Sequence, residues 1–161
     1  MVPEDVEPIL RWENDMDNWE SSNTFVPYTK KEIEEFVHSD QDIYMGRQMR
    51  FMICLNDSFL PIGCIDLFDF EPEHQRVCIG VLIGEREERN KGYAREALSC
   101  LINYCREVLE IHQVFCNILT DNISSIRLFK SMDFKPVGIK KDWVRTHNAW
   151  KDEEMYQLII N

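Results

Sequence analysis

The amino-acid sequence predicts an α/β (α+β) fold, in which a mixed, mostly antiparallel sheet is flanked by helices. Apolar residues near the N-terminus recur at helical spacing, and several later runs rich in Val, Ile and Phe are separated by turn residues. The run RVCIGVLI is apolar on both faces, and a glycine-bearing loop and the longest helical pattern follow it. This order predicts a β-α-β crossover inside the sheet.

The chain forms one predicted domain over residues 1–161. It is 44% hydrophobic, which is typical of a globular protein, and no repeat, low-complexity tract or linker interrupts it. A chain of 161 residues has room for one sizeable core.

Two helices are predicted before the first strand. Ile9, Trp12, Met16 and Trp19 share one face of an amphipathic helix from about residue 4 to 20. Thr29 and Glu32 then form a capping-box pattern, which begins a second helix that ends near His38.

The rest of the chain alternates between strand and helix patterns. The order of elements is α-α-β-β-β-α-β-α-β-β, with the apolar third strand at the centre of the sheet. The predicted strands are 50–55 and 62–70 (a hairpin), 76–83, 112–119, and two late strands at FKPVG and EEMYQLII; the predicted helices are 93–110 and 122–131.

Charge and cysteine content exclude several classes of protein. A formal net charge of −11 opposes binding to nucleic acid and favours cationic partners. The six cysteines form no CxxC pair and stand mostly in apolar runs, as reduced, buried cysteines do, so no zinc site is predicted. The acidic N-terminus is unlike a signal peptide, and no apolar run approaches the ~20 residues of a membrane span. We therefore expect a cytoplasmic protein that has no membrane span and binds no metal ion.

The segment GEREERNKGYAREAL, residues 84–98, places a charged loop between the central strand and the long helix. A helix N-terminus presents unpaired N–H groups to anions, and Gly92 and Ala94 leave room for a ligand beside the backbone. Arg89 and Lys91 add positive charge, so the loop is suited to a diphosphate. The pattern also fits a plain surface turn, and it lacks the spacing of a dinucleotide fold or a P-loop.

Four segments together resemble the GNAT superfamily of N-acetyltransferases. RNKGYA after RVCIGVLI is similar to the acetyl-CoA motif [QR]-x-x-G-x-[GA], and DNISSIRLFKSMDF is similar to the second signature of that family. WENDMDNW and the tail GIKKDWVRTHNAWKDEEMYQLII resemble the branch of the spermidine and ribosomal-protein N-terminal acetyltransferases. The resemblance covers nearly the whole chain.

The resemblance implies acetyl-CoA as cosubstrate and assigns its contacts by position. The pantetheine arm would lie along the central strand and the diphosphate would lie on the loop, while two polar residues after the next strand would touch the cofactor. Asn122 would also serve as a plain helix N-cap. The implied residues are Leu82, Ile83 and Gly84; Arg89, Asn90, Lys91, Gly92, Tyr93 and Ala94; and Asn122 and Ser125.

In this family the amine attacks the thioester directly within a ternary complex. Holding an alkylamine neutral at pH 7 costs about 4.6 kcal/mol, so a carboxylate or a water that it orients is expected to take the proton. The chain departs from the family where a tyrosine acid often stands, since Phe129 occupies that position. Cys78 replaces a frequent glutamate and is expected in the core, and Asp133 replaces the glycine of a closing G-F.

Asp66 and Asp69 match positions that are acidic in the spermidine acetyltransferases. They should point to opposite faces of their strand, and we favour Asp69 as the base. Glu13, Asp15 and Asp17 are candidates to bind a cationic acceptor, and a solvated charged face also fits them. Tyr28 is a candidate to line the acceptor pocket, whereas Trp12 fits the core stripe. The histidines show no triad or metal spacing.

The branch usually opens with a short strand, L-R-x-L, and the chain begins at Met1 without that pattern. A sheet without this edge strand would favour pairing with another subunit, so a homo-oligomer is expected to be possible. We predict a higher melting temperature for a version extended by that strand; equal values would contradict this.

The sequence therefore predicts an acetyl-CoA-dependent N-acetyltransferase whose acceptor is a small cationic amine such as a polyamine. One alternative acceptor is the N-terminus of a protein or peptide. Another alternative is a catalytically idle acyl-CoA-binding domain. This alternative is suggested by Phe129 and Cys78, which stand where relatives often carry a tyrosine and a glutamate.

Overall fold

A computed structural model describes residues 1–22, 24–146 and 149–160. The elements, in chain order, are α1 Val6–Glu13, α2 Met16–Ser22, α3 Lys30–His38, α4 Ile43–Gly46, β1 Met49–Cys54, β2 Pro61–Glu71, β3 Arg76–Ile83, α5 Tyr93–Glu107, β4 Gln113–Leu119, α6 Ile123–Ser131, β5 Lys135–Arg145 and β6 Trp150–Ile159. Single 3₁₀ turns lie at Pro3–Asp5, Pro72–His74 and Arg86–Glu88.

The strands form one six-stranded sheet in the order β1-β2-β3-β4-β6-β5. Every neighbouring pair is antiparallel except β3 and β4, which run parallel because α5 crosses between them. The predicted mixed, mostly antiparallel sheet with one β-α-β crossover is thus confirmed.

The two central strands separate soon after they meet. β3 and β4 pair only over Arg76–Cys78 and Gln113–Phe115, whereas β3 continues to Ile83 and β4 to Leu119. The backbone of Ile79–Ile83 therefore has a ladder partner on the β2 side alone. A gap opens in the middle of the sheet, and this gap positions the site described below.

Helices cover both faces of the sheet. One face packs against α5 and α6, and the other face carries α1 and α3, where Val6, Ile9, Ile33 and Val37 form a smaller cluster with Met52 of β1. The larger core includes Ile65, Leu67, Val77, Ile79, Leu98, Leu101, Ile102, Cys105, Val114, Cys116, Ile118, Phe129, Phe134 and Tyr156.

The predicted first helix is wrong in one respect, since it is two helices that break at Asn14. The side chain of Asn14 donates to the carbonyl of Tyr28 at 2.9 Å and accepts from the N–H of Tyr28 at 2.8 Å. Asp15 then accepts from the N–H of Asp17, which supports the start of α2. A long-range partner for Asn14 thus ends a helix that the apolar spacing would continue.

Other boundaries differ less. Thr29 and Glu32 form the predicted capping box of α3. The short α4 was not predicted, although Asp42 caps it by accepting from the N–H groups of Tyr44 and Met45. α5 ends at Glu107 rather than at residue 110, and β5 and β6 extend well beyond the predicted late strands.

β1 lies at one edge of the sheet and pairs with β2 alone among the described strands. A mostly apolar groove of 360 Å³ runs between β1 and α5, with Phe51, Ile53, Ala97 and Tyr104 in its walls. Among the described helices, none is long and apolar enough to cross a membrane.

Candidate functional site

A cavity of 560 Å³ occupies the gap between β3 and β4. Its walls come from both faces of the sheet, because the gap lets one space run through the sheet. On the α6 side the cavity meets Asn122, Ser125 and Phe129. Its opposite walls are built by the loop after α2 and by β2, β4, β5 and β6, with Phe25, Phe68, Asp69, Asn117, Lys140, Trp143, Arg145, Trp150 and Glu153.

The edge of β3 that faces the gap offers backbone groups to a ligand. Leu82 and Ile83 pair with β2 on one side, but β4 has already separated from β3 at their level. The carbonyl of Ile83 accepts from Nε of Arg89 at 2.8 Å, so this group is already engaged. An extended ligand arm could lie along the remaining open edge as an added strand would.

The loop before α5 forms a cradle of backbone donors. Gly92 is the N-cap of α5 with a φ of 96°, a left-handed conformation that glycine adopts without strain. In the described part of the chain, the N–H groups of residues 90–94 donate to no other group. A fifteen-residue helix directs its first N–H groups and its dipole at this point, which makes the loop fit a diphosphate.

The loop cations are themselves engaged, which sequence spacing could not reveal. Arg89 is half-buried and donates to Ile83 and, at 3.3 Å, to Oδ1 of Asn18 on α2. Nζ of Lys91 lies 3.0 Å from Oε2 of Glu88. Arg89 therefore holds the loop against α2, and the free donors of the cradle are backbone N–H groups.

Ion pairs fasten the start of the loop to the N-terminal helices. Glu85 pairs with Arg11 and accepts from Nε1 of Trp12 at 3.1 Å. Arg86 lies 2.8 Å from Asp15 and 2.6 Å from Asp17, and the hydrogen bond from Arg86 lowers the pKa of Asp15. The cradle is thus positioned by α1 and α2.

Asn122 is the N-cap of α6, the structural role that the sequence offered for it, and Asn122 and Ser125 lie where a cofactor contact stays a prediction. Oδ1 of Asn122 caps α6 by accepting from the N–H of Ser125 at 3.2 Å, and both residues line the cavity.

Of the two candidate bases, Asp69 lines the cavity and Asp66 does not. Asp69 is exposed and has a φ of 49°, at a bulge where the register of β2 and β3 shifts. Bulges re-aim a side chain, and here the bulge places a carboxylate at the gap.

Asp66 and Glu13 belong to a separate cluster around Arg50. Nε and Nη2 of Arg50 lie 2.6 and 2.8 Å from the two oxygens of Asp66, and Nη1 lies 2.7 Å from Glu13. Burial alone would lower the pKa of Arg50, but these carboxylates more than offset it and raise that pKa. The carboxylate of Glu13 is therefore engaged by Arg50 and lies outside the cavity.

Tyr28 also lies outside the cavity lining, where Phe25 stands instead. Its backbone holds Asn14, as described above.

Phe129 and Cys78 lie where the family pattern leads one to expect an acid and a glutamate. Phe129 borders the cavity and packs edge-on against Phe134 at 5.0 Å, so no phenol reaches this wall. Cys78 is fully buried, and burial raises the pKa of its thiol to about 12. A thiol so protonated is a core residue rather than a nucleophile.

Sequence reasoning missed the wall formed by β5 and β6. Glu153 is buried and pairs with Lys140 directly across the ladder. Nζ of Lys140 also donates to Oδ1 of Asn117 at 3.1 Å and lies 4.9 Å from the centre of the Trp143 ring. The alternation in EEMYQLII indicates a strand, but only the register with β5 reveals these partners.

The described residues contain no group of three or more His, Cys, Asp or Glu side chains that could hold a metal ion. Four of the six cysteines are buried, whereas Cys54 and Cys100 are exposed, so the prediction of buried cysteines holds for part of the set.

Comparison with known proteins decides the family. A model described as an acetyltransferase (GNAT) domain matches residues 1–135, well over half of the chain. The chain belongs to the GNAT family. It is an N-acetyltransferase, with acetyl-CoA as its cosubstrate, and the family resemblance of the sequence is confirmed.

Similar proteins of known sequence are themselves named as N-acetyltransferases. The chain is 26% identical over 132 residues to the uncharacterized N-acetyltransferase YnaD of Bacillus subtilis, covering 82% of this chain and 75% of that protein. It is 28% identical over 114 residues to the uncharacterized N-acetyltransferase p20 of Bacillus licheniformis, covering 71% and 64%.

Solved structures share the fold. The spermidine N-acetyltransferase of Vibrio cholerae in complex with CoA and spermine superposes with a TM-score of 0.86 at 18% identity, covering 99% of this chain and 92% of that one. A probable acetyltransferase superposes with a TM-score of 0.83 at 21% identity, covering 99% and 89%. At these identities the likeness establishes the fold alone.

Proposed function

We propose that this GNAT enzyme transfers the acetyl group of acetyl-CoA to the primary amine of a small cationic acceptor, such as a polyamine. The observation that carries the proposal is the cavity in the gap beside β3, which is lined by Ile79, Gly80 and Val81 of that strand and by the exposed carboxylate of Asp69. The loop of free N–H groups lies outside the cavity lining and follows the end of the same strand. The two substrates would approach from opposite faces of the sheet and meet in the gap.

The cosubstrate would bind mainly through backbone groups. The N–H groups of residues 90–94 would hold the diphosphate, and the open edge of β3 at Leu82 to Gly84 would hold the pantetheine arm. Asn122 and Ser125 would contact the arm from the α6 side. Lys91 would add charge at the rim, and Arg89 would act through the position of the loop.

The reaction needs a neutral amine. Asp69, directly or through a water that it orients, would take one proton from the acceptor ammonium as its nitrogen attacks the thioester carbon. The C–N bond forms and the C–S bond breaks, and the thiolate of CoA leaves. The nitrogen then loses its second proton to solvent or to the departing thiolate, which gives the neutral amide. Backbone N–H groups on the open edge of β3 would stabilise the charge that develops on the carbonyl oxygen.

No acid is needed for the leaving group. A thiol has a pKa of about 8.5, so the thiolate is stable enough to depart unassisted near neutral pH. This accounts for Phe129 at the position where a tyrosine often stands.

Two features favour a cationic acceptor. The chain carries a formal charge of −11, which attracts cations over long range. Solved neighbours include spermidine N-acetyltransferases, which makes a polyamine the first acceptor to test.

The test is turnover on a mixed panel of small amines and N-terminal peptides with acetyl-CoA, with products read by mass spectrometry. We expect acetylated amine, and we expect Asp69→Asn to lower kcat by about 10²- to 10⁴-fold while coenzyme A binding is retained. Asp57→Asn, which alters an exposed carboxylate on the β1–β2 turn, is the matched control.

If only the peptides are acetylated, the acceptor is a peptide N-terminus and the proposed small amine is wrong. Coenzyme A binding without turnover on any member of the panel would overturn the proposal in favour of an idle acyl-CoA-binding domain.

A further inference from the structure

The charges around the cavity differ from the charge of the whole chain. The chain is strongly acidic, but among the described residues that line the cavity the charged ones are Asp69, Glu153, Lys140 and Arg145. Two carboxylates thus face two cations, and their formal charges cancel. An acceptor with several ammonium groups does not find an acidic cavity here.

Glu153 is the more buried of the two carboxylates, and it already has an ammonium partner. Lys140 lies opposite Glu153 in the ladder of β5 and β6 and pairs with it, while its Nζ also contacts Asn117 and the Trp143 ring. Carboxylate, amide oxygen and aromatic face are the groups that bind an alkylammonium ion. Among the described residues of this wall, the ammonium group of Lys140 therefore already occupies the subsite around Glu153.

Asp69 is the carboxylate that remains for an acceptor. It is exposed, and Arg145 on the same cavity is exposed with no carboxylate partner in the described part of the chain. A second ammonium group on the acceptor would meet Arg145 and Lys140, so it would be repelled rather than bound.

Aromatic side chains supply the rest of the acceptor wall. Phe25, Trp143 and Trp150 line the cavity, and they are 68%, 60% and 59% exposed. Large aromatic side chains so exposed around one cavity mark a site for an apolar body.

We propose that the acceptor is a primary amine with a single ammonium group and an apolar, preferably aromatic, body, and that Lys140 sets this preference by neutralising Glu153. The inference rests on the proposed acetyl transfer to a small cationic amine, and within that class it favours a monoamine over the polyamine named there as the first acceptor to test. The ammonium group pairs with Asp69, and the body packs against the rings of Phe25, Trp143 and Trp150.

The first experiment compares kcat/KM for 2-phenylethylamine, hexylamine, 1,4-diaminobutane and spermidine with saturating acetyl-CoA. We expect 2-phenylethylamine to exceed 1,4-diaminobutane and spermidine by roughly tenfold or more, with hexylamine between them. A higher value for the diamine or for spermidine overturns the inference.

The second experiment removes the positive charge of Lys140. Lys140→Met keeps most of the length of the side chain and leaves the carboxylate of Glu153 without its cation, so the ratio of kcat/KM for the diamine to that for 2-phenylethylamine should rise about tenfold. Lys140→Arg keeps the charge and should keep the preference. An unchanged ratio in a folded, CoA-binding Lys140→Met variant overturns the role of Lys140.

A double variant guards against a folding defect. Lys140→Met with Glu153→Gln removes both charges, so it leaves no uncompensated carboxylate in the wall and should return the preference toward that of the unaltered chain. A diamine preference in the double variant would contradict the mechanism, because no carboxylate would remain to cause it.

Removal of a ring tests the aromatic wall. Trp150→Ala should lower kcat/KM for 2-phenylethylamine by roughly three- to tenfold and change that for 1,4-diaminobutane far less. Phe59→Ala, at an 80% exposed ring outside the cavity, is the matched control. Equal losses for both amines would overturn the aromatic contact.

Turnover with none of the amines would overturn the proposed function and this inference with it, whereas turnover with a polyamine preference overturns this inference alone.

Discussion

Arg50 joins three parts of the molecule through one side chain. From β1 it binds Asp66 on β2 and Glu13 at the end of α1, and its guanidinium lies 5.1 Å from the ring centre of Phe36 on α3. All three charged groups are shielded from solvent, with side-chain exposures of 16%, 24% and 13%. Two carboxylates so shielded from water depend on the positive charge of the guanidinium to offset the free-energy cost of their desolvation.

We predict that Arg50→Met lowers the free energy of unfolding by about 3–5 kcal/mol, because it leaves two shielded carboxylates without a counter-charge. Urea unfolding followed by circular dichroism measures the change. Arg106→Met removes an exposed arginine of α5 and should cost less than about 0.5 kcal/mol. Similar losses for both variants would show that the Arg50 cluster contributes little.

The same cluster explains which candidate site residues could be predicted. Asp66 and Asp69 both match acidic positions of the family, and Asp69 was favoured as the base. The sequence did not reveal the bulge of β2, which places Asp69 at the gap and leaves Asp66 beside Arg50. Glu13 was proposed from its acidic neighbours, but its partner lies thirty-seven residues away on another element. Ion pairs of this kind depend on the packing of α1 on the sheet, which residue spacing does not encode.

At the scale of elements, Gly84 sets how closely α1 approaches the end of β3. A Cβ on Gly84 would lie 2.3 Å from a ring atom of Trp12, far inside contact distance. The adjacent Glu85 accepts from the indole of Trp12, so the same approach also fixes the start of the loop before α5.

We predict that Gly84→Ala lowers stability by about 1–3 kcal/mol, since the Trp12 ring is buried and cannot move aside freely. It should also weaken coenzyme A binding, because the loop would shift with the end of β3. Thermal unfolding and a coenzyme A titration measure the two effects. Gly138→Ala on β5 has nothing within 4 Å of the added Cβ and is the matched control. Wild-type behaviour of Gly84→Ala would contradict the close approach.

Elements with local signals could be predicted from the sequence, and those that depend on distant partners could not. The capping box of Thr29 and Glu32 begins α3 as predicted, because both partners lie within one turn. Asn14 ends α1 through Tyr28, and the bulge at Asp142, with a φ of 48°, lets β5 continue far beyond FKPVG. In both cases the decisive contact is tertiary.

At the scale of the whole molecule, carboxylates with cationic partners make stability depend on pH. The hydrogen bond from Arg86 lowers the pKa of Asp15, and the hydrogen bond from Lys141 lowers the pKa of Asp152. A carboxyl group whose pKa is lower in the folded than in the unfolded chain stabilises the fold above the unfolded value of about 3.9. That contribution is lost as the pH falls through the folded value.

We therefore expect the melting temperature to fall as the pH is lowered from about 5 to 3, and Asp152→Asn to make this fall shallower. Differential scanning calorimetry across this range provides the measurement. Asp57→Asn, at an exposed turn, should leave the slope unchanged. An identical slope for Asp152→Asn would contradict the assigned role of the Lys141 pair.

The short contact between β3 and β4 has a mechanical consequence. Among the described residues, the ladder between the half-sheet of β1, β2 and β3 and the half-sheet of β4, β6 and β5 has three residue pairs, Arg76–Cys78 with Gln113–Phe115. A pantetheine arm bonded to the edge of β3 and packed against β4 would act as a brace between these halves. A ligand that fills the gap would then make the sheet more rigid across both halves. Bound acetyl-CoA would in this way help to hold the residues of the acceptor site in position.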